Sequence, residues 1–107
     1  MVAFPIRAVY EVSSHPSPLN PQPSTLNPQI LISVPKKKLH HAVDRNRVKR
    51  QLREAWRHNR QPLMDILPEG QNLLVAFVWL SDRHFSSGEV ALRMKKLIGR
   101  MAASLHA

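Results

Sequence analysis

Nine consecutive residues, Asn72 to Leu80 (NLLVAFVWL), restrict the fold more than any other part of the chain. They are apolar at both parities, rich in Val, Phe and Trp, and preceded by a turn signal at Pro68, Glu69 and Gly70. Such a run predicts a β-strand covered on both faces, hence a central strand with a neighbour on each side. A chain of 107 residues has to supply those neighbours within one domain, because domains run to about 100–200 residues each. The apolar stretch is also far short of the roughly 20 residues that span a bilayer. No basic region, apolar core and small-residue cleavage site open the chain as in a secretory signal. The expectation is a cytoplasmic protein with no membrane partner.

The remaining elements follow from period and punctuation. Residues 2–12 (VAFPIRAVYEV) are β-branched and aromatic, which predicts a strand. Pro5 places it at a sheet edge or delays its start to Ile6. Residues 13–28 are rich in Pro and Ser, carry no charge, and repeat Leu-Asn-Pro-Gln at positions 19 and 26, which predicts a long loop. Gln29 to Val34 is a second strand, stopped by Pro35. From Ala42 to about Arg60 the period becomes helical, with Val48, Leu52, Ala55 and Trp56 on one stripe and Pro62 as a stop signal. The last helix opens on Ser86-Ser87-Gly88-Glu89, a capping box, and aligns Val90, Met94, Leu97, Ile98, Met101 and Leu105. The reading is a single α+β domain over 1–107, a small mixed β-sheet packed with two helices in the order β-β-α-β-α, a split β-α-β arrangement.

Charge gives the first functional constraint. The chain carries a net +9, and the segment from Lys36 to Arg60 holds ten of the 16 basic residues against two acids, Asp44 and Glu54. On a helical wheel the apolar stripe of 42–60 spans about −20° to 80° from Val48, while Asn46, Arg50, Arg53 and Arg57 lie at about 140° to 200°. Arg45, Arg47, Lys49 and Arg60 flank that ridge. Solvated helix faces normally alternate sign to form i,i+4 pairs. Here two acids cannot neutralise ten bases, so the row predicts a polyanionic partner. Arg predominates over Lys on this helix, and a guanidinium fork matches paired phosphate oxygens. Lys36 and Lys37, just ahead of the helix, join the candidate nucleic-acid contacts.

This segment also resembles a known family. Ser33-Val34-Pro35-Lys36-Lys37, followed by Ala42-Val43-Asp44-Arg45-Asn46-Arg47-Val48-Lys49-Arg50, is similar to the signature of the bacterial ribonuclease P protein subunit. In that family a strand ends in Ser-Val-x-Lys-Lys and Arg-Asn-Arg-x-Lys-Arg opens a helix; the likeness runs more weakly from about Ala8 to the C-terminal helix. The resemblance implies a ribonuclease P protein-like fold, and a subunit that holds ribonuclease P RNA and helps it grip the 5′ leader of precursor tRNA. The RNA performs the hydrolysis and magnesium belongs to the RNA, with no cofactor bound by the protein. It also implies RNA contacts from Arg45, Asn46, Arg47, Lys49, Arg50 and Arg53, and places Tyr10 in the cleft that holds the leader. Three departures stand out. His41 replaces a common asparagine, and the Pro-rich loop is longer than the usual hairpin. The first strand starts almost at Met1, which leads to the expectation of an N-terminally short member without the helix that forms one cleft wall.

Other chemistry finds little support in the residues. His40 and His41 are adjacent rather than at i,i+4, and no carboxylate pair accompanies them at ligand spacing, so no metal site is expected. No two acids are placed as a general acid and base, and three scattered glycines form no phosphate loop, so no catalytic residue is expected on the protein. Zero cysteines remove disulfides and thiolate chemistry. Arg93, Lys96 and Arg100 form a second basic stripe on the last helix, either a solvated face or an auxiliary contact. A structural RNA-binding protein of ribosomal type and a DNA-binding helix module share the same electrostatics and remain alternatives.

Overall fold

The computed structural model describes residues 1–13, 29–67 and 71–106. The expected loop at 13–28 therefore lies, beyond Ser13, outside the described residues, as does the turn at 68–70. The described chain folds as β1 (Val2–Ala3), β2 (Ile6–Ser13), β3 (Gln29–Ser33), α1 (Ala42–Asn59), α2 (Gln61–Ile66), β4 (Asn72–Trp79) and α3 (Ser87–His106). The α+β class and the mixed sheet are as expected from the sequence.

The strands form one sheet in the order β1-β2-β4-β3. β4 is central. It pairs antiparallel with β2, Tyr10 opposite Val75, and parallel with β3, Ile30 opposite Val75. Parallel neighbours need a crossover, and the β3-to-β4 connection provides it through α1 and α2. Leu73, Val75, Phe77 and Trp79 are all buried, against Val48, Leu52 and Trp56 of α1 and Val90, Met94, Leu97, Ile98 and Met101 of α3. The Trp56 and Phe77 rings meet with centroids 5.7 Å apart. This parity of β4 is core, and the apolar stripes of both long helices are its cover.

The structure corrects the sequence reading in three places. The both-parity run predicts cover on both faces, yet burial along β4 strictly alternates and Asn72, Leu74, Ala76 and Val78 are only half-buried. The run correctly marks the central strand; a hydrogen-bonded neighbour on each side, rather than a second helical layer, accounts for its position. The strand expected over 2–12 has its main part from Ile6, the delayed start that Pro5 allows, and is preceded by the unexpected short β1; Pro5 has no N–H for the ladder, and the Phe4-Pro5 bond is cis. The Leu80 N–H then donates to the Pro5 carbonyl at 2.8 Å, closing the turn onto the end of β4. Pro62 ends α1 as expected, but a further helix, α2, follows with Pro62 in its first turn, where a missing N–H costs nothing. The described residues thus form three helices rather than two. The capping reading of α3 holds, the Glu89 N–H donating to the Ser86 hydroxyl at 3.2 Å.

Candidate nucleic-acid interface

Helix α1 is positioned by its buried stripe, Val48, Leu52, Ala55 and Trp56, with Gln51 on its edge. That docking turns Asn46, Arg50, Arg53 and Arg57 outward, and all four are exposed. Arg47 on one flank is exposed as well, and Lys49 on the other is half-buried. Lys36, Lys37 and Lys38 are exposed in the turn that leads from β3 into the helix. The fold therefore leaves exposed most of the cations that the sequence places in one segment.

The side-chain partners divide this set. Arg45 is held by the protein: its Nη1 donates to the carbonyls of Leu39 at 3.0 Å and His40 at 2.8 Å, tying the loop to the helix start. Arg57 donates to Glu54 at 2.9 Å, and His58 approaches the same carboxylate at 3.4 Å. The hydrogen bond from Arg57 holds the Glu54 carboxyl below its ordinary range. Asp44 pairs with His84 at 3.0 Å. Both acids of α1 are thus engaged. Arg47, Lys49, Arg50 and Arg53 make no hydrogen bond or ion pair with any described residue, and the same holds for Lys36 and Lys37. Arg47, Arg50 and Arg53 are three guanidinium groups within two helical turns, free to meet phosphate.

A sequence profile of the ribonuclease P family matches residues 7–101. The ribonuclease P protein components of two Porphyromonas gingivalis strains are each 36% identical over 105 residues, covering 97% of this chain and 72% of theirs. The chain belongs to the ribonuclease P protein family. The ribonuclease P protein component of Chlorobium phaeobacteroides is 39% identical over 61 residues, 51% of this chain and 42% of that one. No solved structure matches the chain.

The ribonuclease P match takes in the whole of α1 and β2 from its second residue, and leaves β1 and the Phe4-Pro5 turn outside it. Tyr10 lies within it but apart from the ridge. It is half-buried on the helix-covered face of β2, and its hydroxyl donates to Ser104 of α3 at 2.7 Å. α1 touches β3, the edge strand beyond β4, on the same face. The structure thus leaves Lys36 and Lys37 exposed in the turn ahead of α1 and sets Tyr10 against α3. Among the described residues no three His, Asp or Glu side chains converge as a metal-holding group.

Gln51 escapes sequence reasoning although its signal was present. At about −60° on the wheel it borders the apolar stripe, where a polar residue needs a partner. Its Nε2 donates to the Phe85 carbonyl at 3.0 Å and to the Ser87 hydroxyl at 3.3 Å, fastening α1 to the entrance of α3. His84 on Asp44 adds a second fastening along the same flank. Together they fix the helix that presents the guanidinium ridge.

Proposed function

We propose that the chain is the protein subunit of a ribonuclease P ribonucleoprotein, which binds the catalytic RNA through the outer ridge of α1 and assists 5′ maturation of precursor tRNA. One observation carries the reading: Arg47, Lys49, Arg50 and Arg53 have no counter-ion among the described residues, on a helix whose position is fixed from the other side. Like charges so close repel, and a phosphate backbone relieves that repulsion while releasing its own counter-ions. The names of the relatives support ribonuclease P RNA as the polyanion.

On this reading the protein contributes charge and position, and bond cleavage belongs to the RNA, whose phosphates hold the magnesium. Lowering the repulsion between catalytic RNA and substrate reduces the magnesium needed for assembly. Tyr10 offers the leader the part of its ring left open beside Ser104; stacking on an aromatic tolerates any base. The test is reconstitution: the full chain added to ribonuclease P RNA at low magnesium restores 5′ processing of a precursor tRNA. A chain that neither restores processing nor binds the RNA contradicts the reading.

A further inference from the structure

Phe4 is 58% exposed, the only aromatic among the large exposed hydrophobics of the described residues. Scattered exposed aliphatics such as Val43 or Leu92 are ordinary. Phe4 differs in being held. Its ring meets Phe85 edge-on at 6.1 Å, and Phe85 meets the buried Trp79 edge-on at 5.7 Å. The backbone beneath it is closed by hydrogen bonds from Leu80 to Pro5 and from Ala8 to Met1, each 2.8 Å. A ring fixed this way loses little freedom when something stacks on its open face.

The surroundings state what that partner is. Phe85 and His84 are the residues that dock on α1, through Gln51 and Asp44. Arg47 lies three residues after Asp44 and four before Gln51, so it stands on the same helix flank, exposed and without a partner among the described residues. Arg83, exposed and with no side-chain partner described, precedes them in the same segment. The open aromatic face is thus linked through Phe85 to the segment that carries Arg83 and to the helix flank that carries Arg47. A rigid aromatic beside cations is the combination that binds single-stranded nucleic acid, the ring taking a base and the cations its phosphates. The geometry points to Phe4 as a stacking site for an unpaired RNA base, with Arg47 and Arg83 on the adjoining phosphates. This rests on the RNA-binding reading above and adds a contact outside the segment that the family profile matches.

Two sources of the base are separable. Affinity is measured for the wild-type chain and for Phe4→Ala, Phe4→Leu and Phe4→Trp, first with a ribonuclease P RNA transcript alone. The second arm uses a precursor tRNA with its leader, added to holoenzyme assembled from each variant. In one arm Phe4→Ala binds about 5- to 100-fold more weakly, the range of one lost base stack. Phe4→Leu remains weak, Phe4→Trp restores binding, and the salt dependence is the same for all. Thermal midpoints close to wild type show that the exposed ring is not a folding element. Phe4→Ala equal to wild type in both arms overturns the stack, as does a Phe4→Leu chain as good as Phe4→Trp, which marks an apolar contact with protein instead. A wild-type chain with no salt-dependent RNA binding overturns the ridge reading and the stack together; a wild-type chain that binds beside indifferent variants overturns the stack alone.

Discussion

Helices α1 and α3 bury similar apolar stripes against the same face of the sheet, and each carries a basic row on its far side. The two rows end in different states. On α3, Arg100 donates to the Val2 carbonyl at 2.9 Å and holds the edge strand, while Arg93 is half-buried with its Nε closed off from solvent. That leaves Lys95 and Lys96 exposed. On α1, Arg45 and Arg57 are engaged within the protein, but three arginines and a lysine have no partner among the described residues. Counting basic residues gives six on α1 against four on α3; following each guanidinium to its partner leaves, among the described residues, three exposed and unpaired on α1 and none exposed and unpaired on α3.

The comparison can be broken first at the packed faces, where the helices should behave alike. Trp56→Ala is expected to cost about 3–5 kcal/mol and Met94→Ala about 2–5 kcal/mol in denaturant unfolding, because both leave cavities against β4. A loss from only one of them would mean that one helix is an appendage. The outward faces should then diverge. Arg50→Ala with Arg53→Ala is expected to weaken binding of ribonuclease P RNA about 100-fold, taking roughly 1.5 kcal/mol per charged hydrogen bond lost, with unfolding unchanged. Lys95→Ala with Lys96→Ala should change affinity no more than about threefold, as expected of solvated charges. Equal losses from both pairs would erase the distinction between the rows.

Arg45 sharpens the comparison from within α1. Its two carbonyl contacts predict that Arg45→Ala lowers unfolding stability by about 1–2 kcal/mol, an effect that Arg50→Ala lacks. The smallest effect belongs to Glu54. Its carboxyl titrates below the ordinary value of 4.5 because Arg57 donates to it. The pair therefore contributes above that value, and the contribution disappears as pH falls through the lowered folded-state range. Glu54 is exposed, so the thermal midpoint of Glu54→Gln should trail wild type only slightly at neutral pH, less in high salt, and not at all in acid.

Much of this was legible in the sequence for local reasons. The β4 run, the Val48-Leu52-Ala55-Trp56 stripe and the Ser86 cap are each set by neighbours a few residues away, and the structure reproduces them. The delayed start of β2 at Ile6 was legible from Pro5; the short β1 was not, because only pairing reveals it, and α2 was missed because a proline that stops one helix can also start another. The two-faced cover of β4 was misread because an apolar run records burial without saying whether a helix or a strand supplies it. At the site, the arginine ridge was visible as uncompensated charge. Which arginines stay free was not, since the carbonyls held by Arg45 and Arg100 belong to backbone whose position depends on the fold. Phe4 offered no signal, because its exposure follows from the Phe85 and Pro5 contacts that hold it in place.

The central claim is that α1 presents cations to phosphate. The most direct test is the dependence of RNA affinity on salt, for the wild-type chain and for Arg50→Ala with Arg53→Ala. If about five cations of the segment reach phosphate, log K should fall against log salt with a slope of roughly −3.5 to −4.5. The double substitution should make that slope shallower by roughly 1.4 to 1.8. A wild-type slope near zero, or one that the substitutions leave untouched, would contradict the account.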